Sequence, residues 1–312
     1  MIISASRRTD IPAFYSDWFI KRIQEGFVLV RNPVNAHQVS RIRLSPDVVD
    51  CIVFWTKNPA PMMDKLSMLR AYPYYFQFTL NAYGQDVEPG LPPEDTLVDT
   101  FKTLSDAIGR ERVIWRYDPI LISPKYGAQY HVDQFCKLAY RLKDHTEKCV
   151  ISFIDFYRNI GGFVRELGVQ EISDEQKRRI AKSLSEIAAS YGLGIEACAE
   201  DVAMDDLGIG HARCIDDRLI SRIIGSPIKV EKDKNQRQAC GCVASIDIGL
   251  YNTCRNGCKY CYANHSLKTV DNNTKQYDVN SPLLCSQYDP GQDKVTEREM
   301  YSQKENQISF FN

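Results

Sequence analysis

Short apolar runs alternate with helix-patterned stretches along most of this 312-residue chain, and that alternation limits the fold more than any other feature. Candidate strands cover residues 2–6, 27–31, 51–56, 75–80, 113–117, 150–155, 195–198 and 245–248. Several are β-branched or aromatic without polar alternation, the pattern of strands covered on both faces. The helical stretches between them have legible ends. Residues 94–108 carry Leu97, Phe101, Leu104 and Ile108 at helical spacing, and Gly109 stops the run. Ser173 and Gln176 form a capping box ahead of Ile180, Leu184, Ile187 and Tyr191, closed by Gly192. A similar helix runs from Asp216 to Ile224, followed by Gly225. Residues 27–31 and 38–43 break the alternation and predict a hairpin.

Strand–helix–strand order implies parallel pairing through crossovers. Seven or eight such units in about 250 residues predict an α/β fold: a partial or permuted (β/α) TIM-like barrel, with a doubly wound open sheet as the competing topology. The barrel domain is expected to span residues 1–265, and residues 266–312 read as a polar C-terminal extension in which only Ile308–Phe310 look able to dock.

Composition narrows the function classes. Thirty-nine basic side chains stand against 40 acidic ones, which leaves no global field to steer the chain onto nucleic acid or acidic lipid. No run reaches the 18 or so apolar residues of a membrane span. The N-terminal MIISASRRTD turns charged too early for a secretory signal, so a cytoplasmic location is expected. Histidine is scarce, with five in all, and no HExxH motif, P-loop, Rossmann fingerprint or serine-hydrolase elbow occurs.

Cysteine is the exception. Five of the eleven cysteines, Cys240, Cys242, Cys254, Cys258 and Cys261, crowd into residues 240–261. In a reducing compartment such crowding points to metal binding or catalysis rather than cross-linking. Cys254, Cys258 and Cys261 form a C-x3-C-x2-C triplet directly after a candidate strand. Thiolates favour iron–sulfur clusters, zinc and copper(I). Structural zinc usually takes four ligands in two close pairs. Three thiolates from one loop instead suit three irons of a four-iron cube, leaving the fourth iron open. Gly257 fits a loop folded round such a body.

The triplet, with Tyr260 before its last cysteine, resembles the radical S-adenosylmethionine motif, and YNTCRNGCKYCYAN resembles the cluster loop of spore photoproduct lyase-like proteins. Over the whole chain, ISASRRTDIPAFY, CIVFWTKNP, VIWRYDP and CGCVASIDIGLYNTC resemble the bacterial domain-of-unknown-function 1848 family. The resemblance implies that Cys254, Cys258 and Cys261 ligate a [4Fe–4S] cluster whose free iron binds S-adenosylmethionine. It places Tyr260, and with it Asn252, at the cofactor. The activity implied is generation of a 5′-deoxyadenosyl radical for hydrogen abstraction, with electrons from a reductant such as flavodoxin or ferredoxin. In the superfamily the triplet follows the first barrel strand, whereas here it follows the last. A circular permutation reconciles the two, with residues 245–248 as first strand and residues 2–6 as the next. The superfamily's Gly-Gly-Glu segment has no match, because Gly161-Gly162 is followed by Phe163, a pair that a plain flexible loop explains.

A second metal site is expected from Cys198, Cys214, Cys240 and Cys242, holding an auxiliary cluster or zinc. Against this, a cysteine in an apolar strand is more often a small buried hydrophobe, the assignment given to Cys51, Cys136 and Cys149. Cys285, alone in the polar tail, would make the first cluster structural if it joined the triplet. Residues at the C-terminal strand ends supply the remaining candidates: Arg7, Arg8 and Asp10; Thr56, Lys57 and Asn58; Thr79 and Asn81; Arg116 and Asp118; Asp155; and Glu196, Cys198 and Glu200. Arg7, Arg8, Asp10, Lys57, Arg116 and Asp118 are taken as catalytic, and the four cations suggest an anionic substrate. The mixed-charge residues 229–237 read as a solvated loop. Competing functions are a non-catalytic or electron-transfer iron–sulfur protein and a zinc-bearing nucleic-acid-binding module. The absence of a basic stripe counts against the last.

Overall fold

A computed structural model describes residues 1–304. Its centre is an eight-stranded, all-parallel sheet. The strands are β1 (Ile2–Ala5), β4 (Cys51–Thr56), β5 (Tyr74–Thr79), β6 (Val113–Ile120), β7 (Lys148–Phe153), β8 (Gly194–Ala197), β9 (Gly210–His211) and β10 (Ile246–Asp247). In space they run β10-β1-β4-β5-β6-β7-β8-β9. The last strand in the chain therefore lies beside the first, with Ile246 opposite Ile3, as a permuted strand order requires. The hairpin of β2 (Phe27–Arg31) and β3 (Gln38–Arg43) stands apart as a small sheet completed by β11 (Lys294–Glu297).

In chain order the helices are α1 (Ile11–Phe14), α2 (Ser16–Glu25), α3 (Glu94–Ile108), α4 (Ala128–Leu142), α5 (Gly161–Leu167), α6 (Asp174–Ser190), α7 (Asp217–Ile224) and α8 (Leu267–Thr274). Helices α2, α3, α4 and α6 cover one face of the large sheet. The capping box predicted at Ser173 is formed, with Ser173 accepting from Gln176 N–H and the Gln176 side chain accepting in return. Gly161-Gly162 opens α5 rather than lying in a loop.

The period-2 pleat sorts side chains between two cores. Ile3, Phe54, Phe76, Phe78, Trp115 and Ile151 face the helices and meet Phe101, Phe135 and Leu184 from α3, α4 and α6. The opposite parity, Ile2, Val53, Tyr75, Ile114 and Val150, points inward against Ile215, Leu219, Ile220 and Val243. Residues 212–243, including α7, thus fill the concave side.

The sheet curls but does not close. Flat, its outer strands would stand roughly 30 Å apart at about 4.8 Å per strand. Yet Cys214, just beyond β9, and Cys254, beyond β10, line one cavity of about 300 Å³. Strands β9 and β10 remain its two edges and do not pair with each other among the described residues.

The extension after residue 265 is more tightly docked than its polarity suggests. Val270, Leu283, Leu284 and Cys285 are buried, Trp18 Nε1 donates to Ser281 O at 2.8 Å, and β11 adds to β3. Ile308–Phe310, the segment expected to dock, lie outside the described residues.

Candidate metal centre and cavity

The cavity opens at the C-terminal ends of the strands, where parallel α/β folds hold their ligands. It gathers part of the set that sequence reading picked from strand ends. Thr56, Thr79, Asp155 and Cys198 line it, whereas Asn58, Asn81, Glu196 and Glu200 do not. Glu196 pairs with Lys148 at 2.8 Å and Glu200 with Lys177 at 3.3 Å. Arg7, Arg8 and Asp10 follow β1, Lys57 follows β4, and Arg116 and Asp118 lie on β6, all lining the cavity. Seven of the eleven cysteines line it too: Cys254, Cys258 and Cys261 on one segment, and Cys198, Cys214, Cys240 and Cys242 on three others.

The triplet loop is held from several sides. Its backbone turns through left-handed Gly257 at φ +67°, where a side chain would be strained. Gly90 N–H donates to Asn256 O at 3.0 Å, and Lys259 N–H to Val87 O at 3.0 Å. A Cβ on Gly90 would come within 2.5 Å of Asn256 O, so the two backbones approach as only glycine allows. Buried Asp10 caps α1 by accepting from Ala13 N–H at 3.0 Å. The same carboxylate accepts from Lys57 N–H at 2.8 Å and from Asn256 Nδ2 at 3.0 Å, tying β1, β4 and the loop together. Burial raises its pKa, and these donors counteract the rise.

Burial pushes the Cys254 thiol up to about 12 and raises Cys258 and Cys261 as well. Lys57 works against the rise at Cys258. Three free thiols on one cavity wall, around a tight turn, fit a multi-iron body. Metal binding there must release their protons. Among the described residues no three His, Cys, Asp or Glu side chains already surround the position of a single ion. Cysteines that serve several bridged metals need not converge on one point.

Three residues that sequence reading missed organise this wall. Glu88, buried in the loop after β5, accepts from Lys57 Nζ at 2.8 Å, from Asn81 Nδ2 at 3.1 Å and from the Tyr260 hydroxyl. Burial alone would lower the Lys57 pKa, but Glu88, with Cys258 and Asp118, offsets it and leaves the ammonium favoured. Asp247 on β10 accepts from Ser4 Oγ at 2.9 Å, Ser6 Oγ at 2.6 Å and Arg7 N–H at 2.8 Å, locking β10 to the turn after β1. Asn256 is the third. Asp247 had a visible signal, a carboxylate inside an apolar strand. Glu88 had none, since only the fold brings it to Lys57.

Other candidates separate. Tyr260 lines the cavity beside the triplet. Asn252 does not: its backbone is left-handed at φ +58°, and its side chain accepts from His265 N–H at 2.6 Å, shaping the loop from behind. Cys285 meets Tyr15 in the helix-side core, away from the cavity, and does not join the triplet. Cys51 and Cys149 are fully buried in apolar surroundings, whereas Cys136 is half-buried beside Tyr191. Residues 229–237 are not a free loop. Arg237 lines the cavity and pairs with Asp155 at 2.9 Å, and Asp233 lies 3.8 Å from Arg7.

The match that places this chain is with a family described as a domain of unknown function, DUF1848, over residues 2–263. The chain belongs to that family. The matched span runs from β1 through Cys261, so sheet, cavity and triplet all lie inside the DUF1848 unit. No curated protein matches the chain. No helix among the described residues is long and apolar enough to cross a membrane.

The electrostatics of the DUF1848 cavity bear on what it could bind. Arg8 lies 3.9 Å from Asp247, Lys57 pairs with Glu88, and Arg116 pairs with Asp118. These cations are matched by carboxylates and offer an anion less than their number suggests. Free capacity lies elsewhere. Arg7 Nη2, Thr9 Oγ1 and Trp55 Nε1 are buried polar atoms without a partner, and all three residues line the cavity. Buried polar groups are normally satisfied, so this concentration marks where a ligand's acceptors would go.

Proposed function

We propose that this DUF1848 protein is an iron–sulfur enzyme of the radical S-adenosylmethionine type, acting on a substrate bound at the strand ends. One observation carries the proposal: the three triplet thiols line the same cavity as the strand-end side chains and three unsatisfied polar atoms. Cys254, Cys258 and Cys261 would hold a four-iron cluster, and Tyr260 would flank the cofactor. When bound, that pair of groups supplies a one-electron cleavage of S-adenosylmethionine that yields methionine and a 5′-deoxyadenosyl radical for hydrogen abstraction.

The chain's own part is positioning and shielding. Glu88 fixes the Lys57 ammonium 5.5 Å from the Tyr260 ring centre, so ring and charge hold each other in place. Arg7 and Arg116 both stack on Trp55, each 5.2 Å from the ring centre, which sets two guanidiniums along one wall. Arg7 Nη2, Thr9 Oγ1 and Trp55 Nε1 would orient the substrate by donating to it. Asp118, which burial would raise but Arg116 and Ser152 hold below the usual carboxylate range, stays ionised as an acceptor.

The test is anaerobic incubation of reduced, reconstituted protein with S-adenosylmethionine. Release of 5′-deoxyadenosine, abolished in Cys258→Ala, is the expected result. A reconstituted cluster whose electron resonance spectrum ignores S-adenosylmethionine, with no cleavage, would end the proposal.

A further inference from the structure

We infer that Cys198, Cys214, Cys240 and Cys242 form a second, four-thiolate metal centre that clamps together the two open edges of the sheet. The inference stands whether or not the triplet carries radical chemistry.

Three separate segments deliver these thiols. Cys198 follows β8, Cys214 follows β9, and Cys240 and Cys242 lie on the chain that leads into β10. Strands β8 and β9 end one side of the sheet and β10 ends the other, so the quartet spans the gap that a closed barrel would fill with strand pairing. The segments are already in register. Val243 N–H donates to Ile215 O at 3.2 Å, Ile215 N–H points to Cys242 Sγ at 3.4 Å, and Gly241 lies against the Ala212 carbonyl.

The four cysteines border the apolar cluster of Ile215, Leu219 and Val243, and their sulfurs meet one another there. Cys198 and Cys214 Sγ are 3.3 Å apart, and Cys242 neighbours the thiols of both Cys214 and Cys240. A cysteine acting only as a small hydrophobe packs against carbon, as Cys51 and Cys149 do, whereas each of these four thiols has another thiol beside it. Arg116 Nη1 lies 2.7 Å from Cys214 Sγ. An N–H donated to a coordinating sulfur is the usual outer support of a thiolate site. The four thiols form a string, Cys198–Cys214–Cys242–Cys240, and not a ring round one point. Loading therefore requires the four thiols to draw round one point, and all four line the cavity. Both a zinc ion and an iron–sulfur cluster take four cysteine thiolates, and both would give the clamp.

The experiment uses the full chain with Cys254→Ala, Cys258→Ala and Cys261→Ala, so that any remaining metal reports the quartet alone. After anaerobic incubation with zinc, or with iron and sulfide, and gel filtration, bound metal is counted and thermal unfolding is recorded. Retained zinc, or iron with matching sulfide, supports the centre and tells the two metals apart. Both the metal and an accompanying rise in melting temperature should disappear when Cys214→Ser and Cys242→Ser are added. If that variant does not fold, alkylation of the folded triplet-free chain takes its place. Metal should shield Cys198, Cys214, Cys240 and Cys242 from iodoacetamide, and a chelator should expose them. Unchanged alkylation with no retained metal overturns the inference, as does a Cys198–Cys214 disulfide found in place of metal.

Discussion

Arg116 divides its guanidinium between two partners: Nη1 donates to Cys214 Sγ at 2.7 Å, while Nε donates to Asp118 at 3.0 Å. Strand parity places Arg116 and Asp118 on one face of β6, and the curl of the sheet brings Cys214 to them. Removing the arginine would leave the Asp118 carboxylate partly buried without its counter-charge. Arg116→Leu should cost about 3 kcal/mol in urea unfolding. Arg116→Leu with Asp118→Leu should cost clearly less than the sum of the single changes. Additive losses would mean that the pair is not coupled.

Gly90 is the contact point between the loop after β5 and the triplet turn. Gly90→Ala forces a Cβ to within 2.5 Å of Asn256 O and must displace one backbone or the other. The variant should lose about 1–3 kcal/mol of stability and bind less iron on reconstitution. Gly127→Ala, where a Cβ meets nothing within 4 Å, is the matched control. Equal iron in both variants would remove the contact from the account of the loop.

His131 is buried between Leu121 O, 2.8 Å from Nε2, and the Tyr117 hydroxyl, 2.9 Å from Nδ1. The neutral ring satisfies both partners, with Nε2–H donating and Nδ1 accepting. Burial lowers its pKa from 6.5 to about 4. The unfolded chain therefore binds the proton first, and its stabilising contribution is complete above pH 6.5 and is lost as pH falls toward 4. The full window is worth about 3 kcal/mol. Melting curves from pH 7 to pH 4.5 should fall more steeply for the wild type than for His131→Gln. Parallel slopes would exclude His131 as the cause.

Cutting the chain after residue 265, at the boundary expected from sequence, should not leave a stable barrel. Val270, Leu283 and Leu284 would be lost from the interior, about 2 kcal/mol each. Trp18 Nε1 and Arg22 would lose their acceptors on Ser281 and Asn280. Circular dichroism and gel filtration of residues 1–265 should report an unfolded or aggregated product. A monomer melting like the full chain would restore the boundary.

Much of this protein was legible from local pattern. Short apolar runs, several of them without alternation, marked all eight parallel-sheet strands except two-residue β9, which is too short to carry a pattern. Capping chemistry at Ser173 and the glycine stops located helix ends, because those signals are satisfied within a few residues. The triplet was visible for the same reason: its three thiols lie in one eight-residue segment. The quartet was legible only as a candidate, since its members are spread over 45 residues.

What the sequence decided alone was the alternating parallel fold, the hairpin and the triplet as a unit, while the pairing of the last strand with the first came from tertiary structure. Tertiary structure decided which strand-end charges are already paired, that Glu88 and Asp247 anchor the cavity, and that Asn252 and Cys285 turn away from it. It also brought seven cysteines to one cavity. The physical division is range: propensity, capping and parity act over a few residues, whereas charge pairing and thiol clustering depend on how an incomplete barrel folds its edges toward each other.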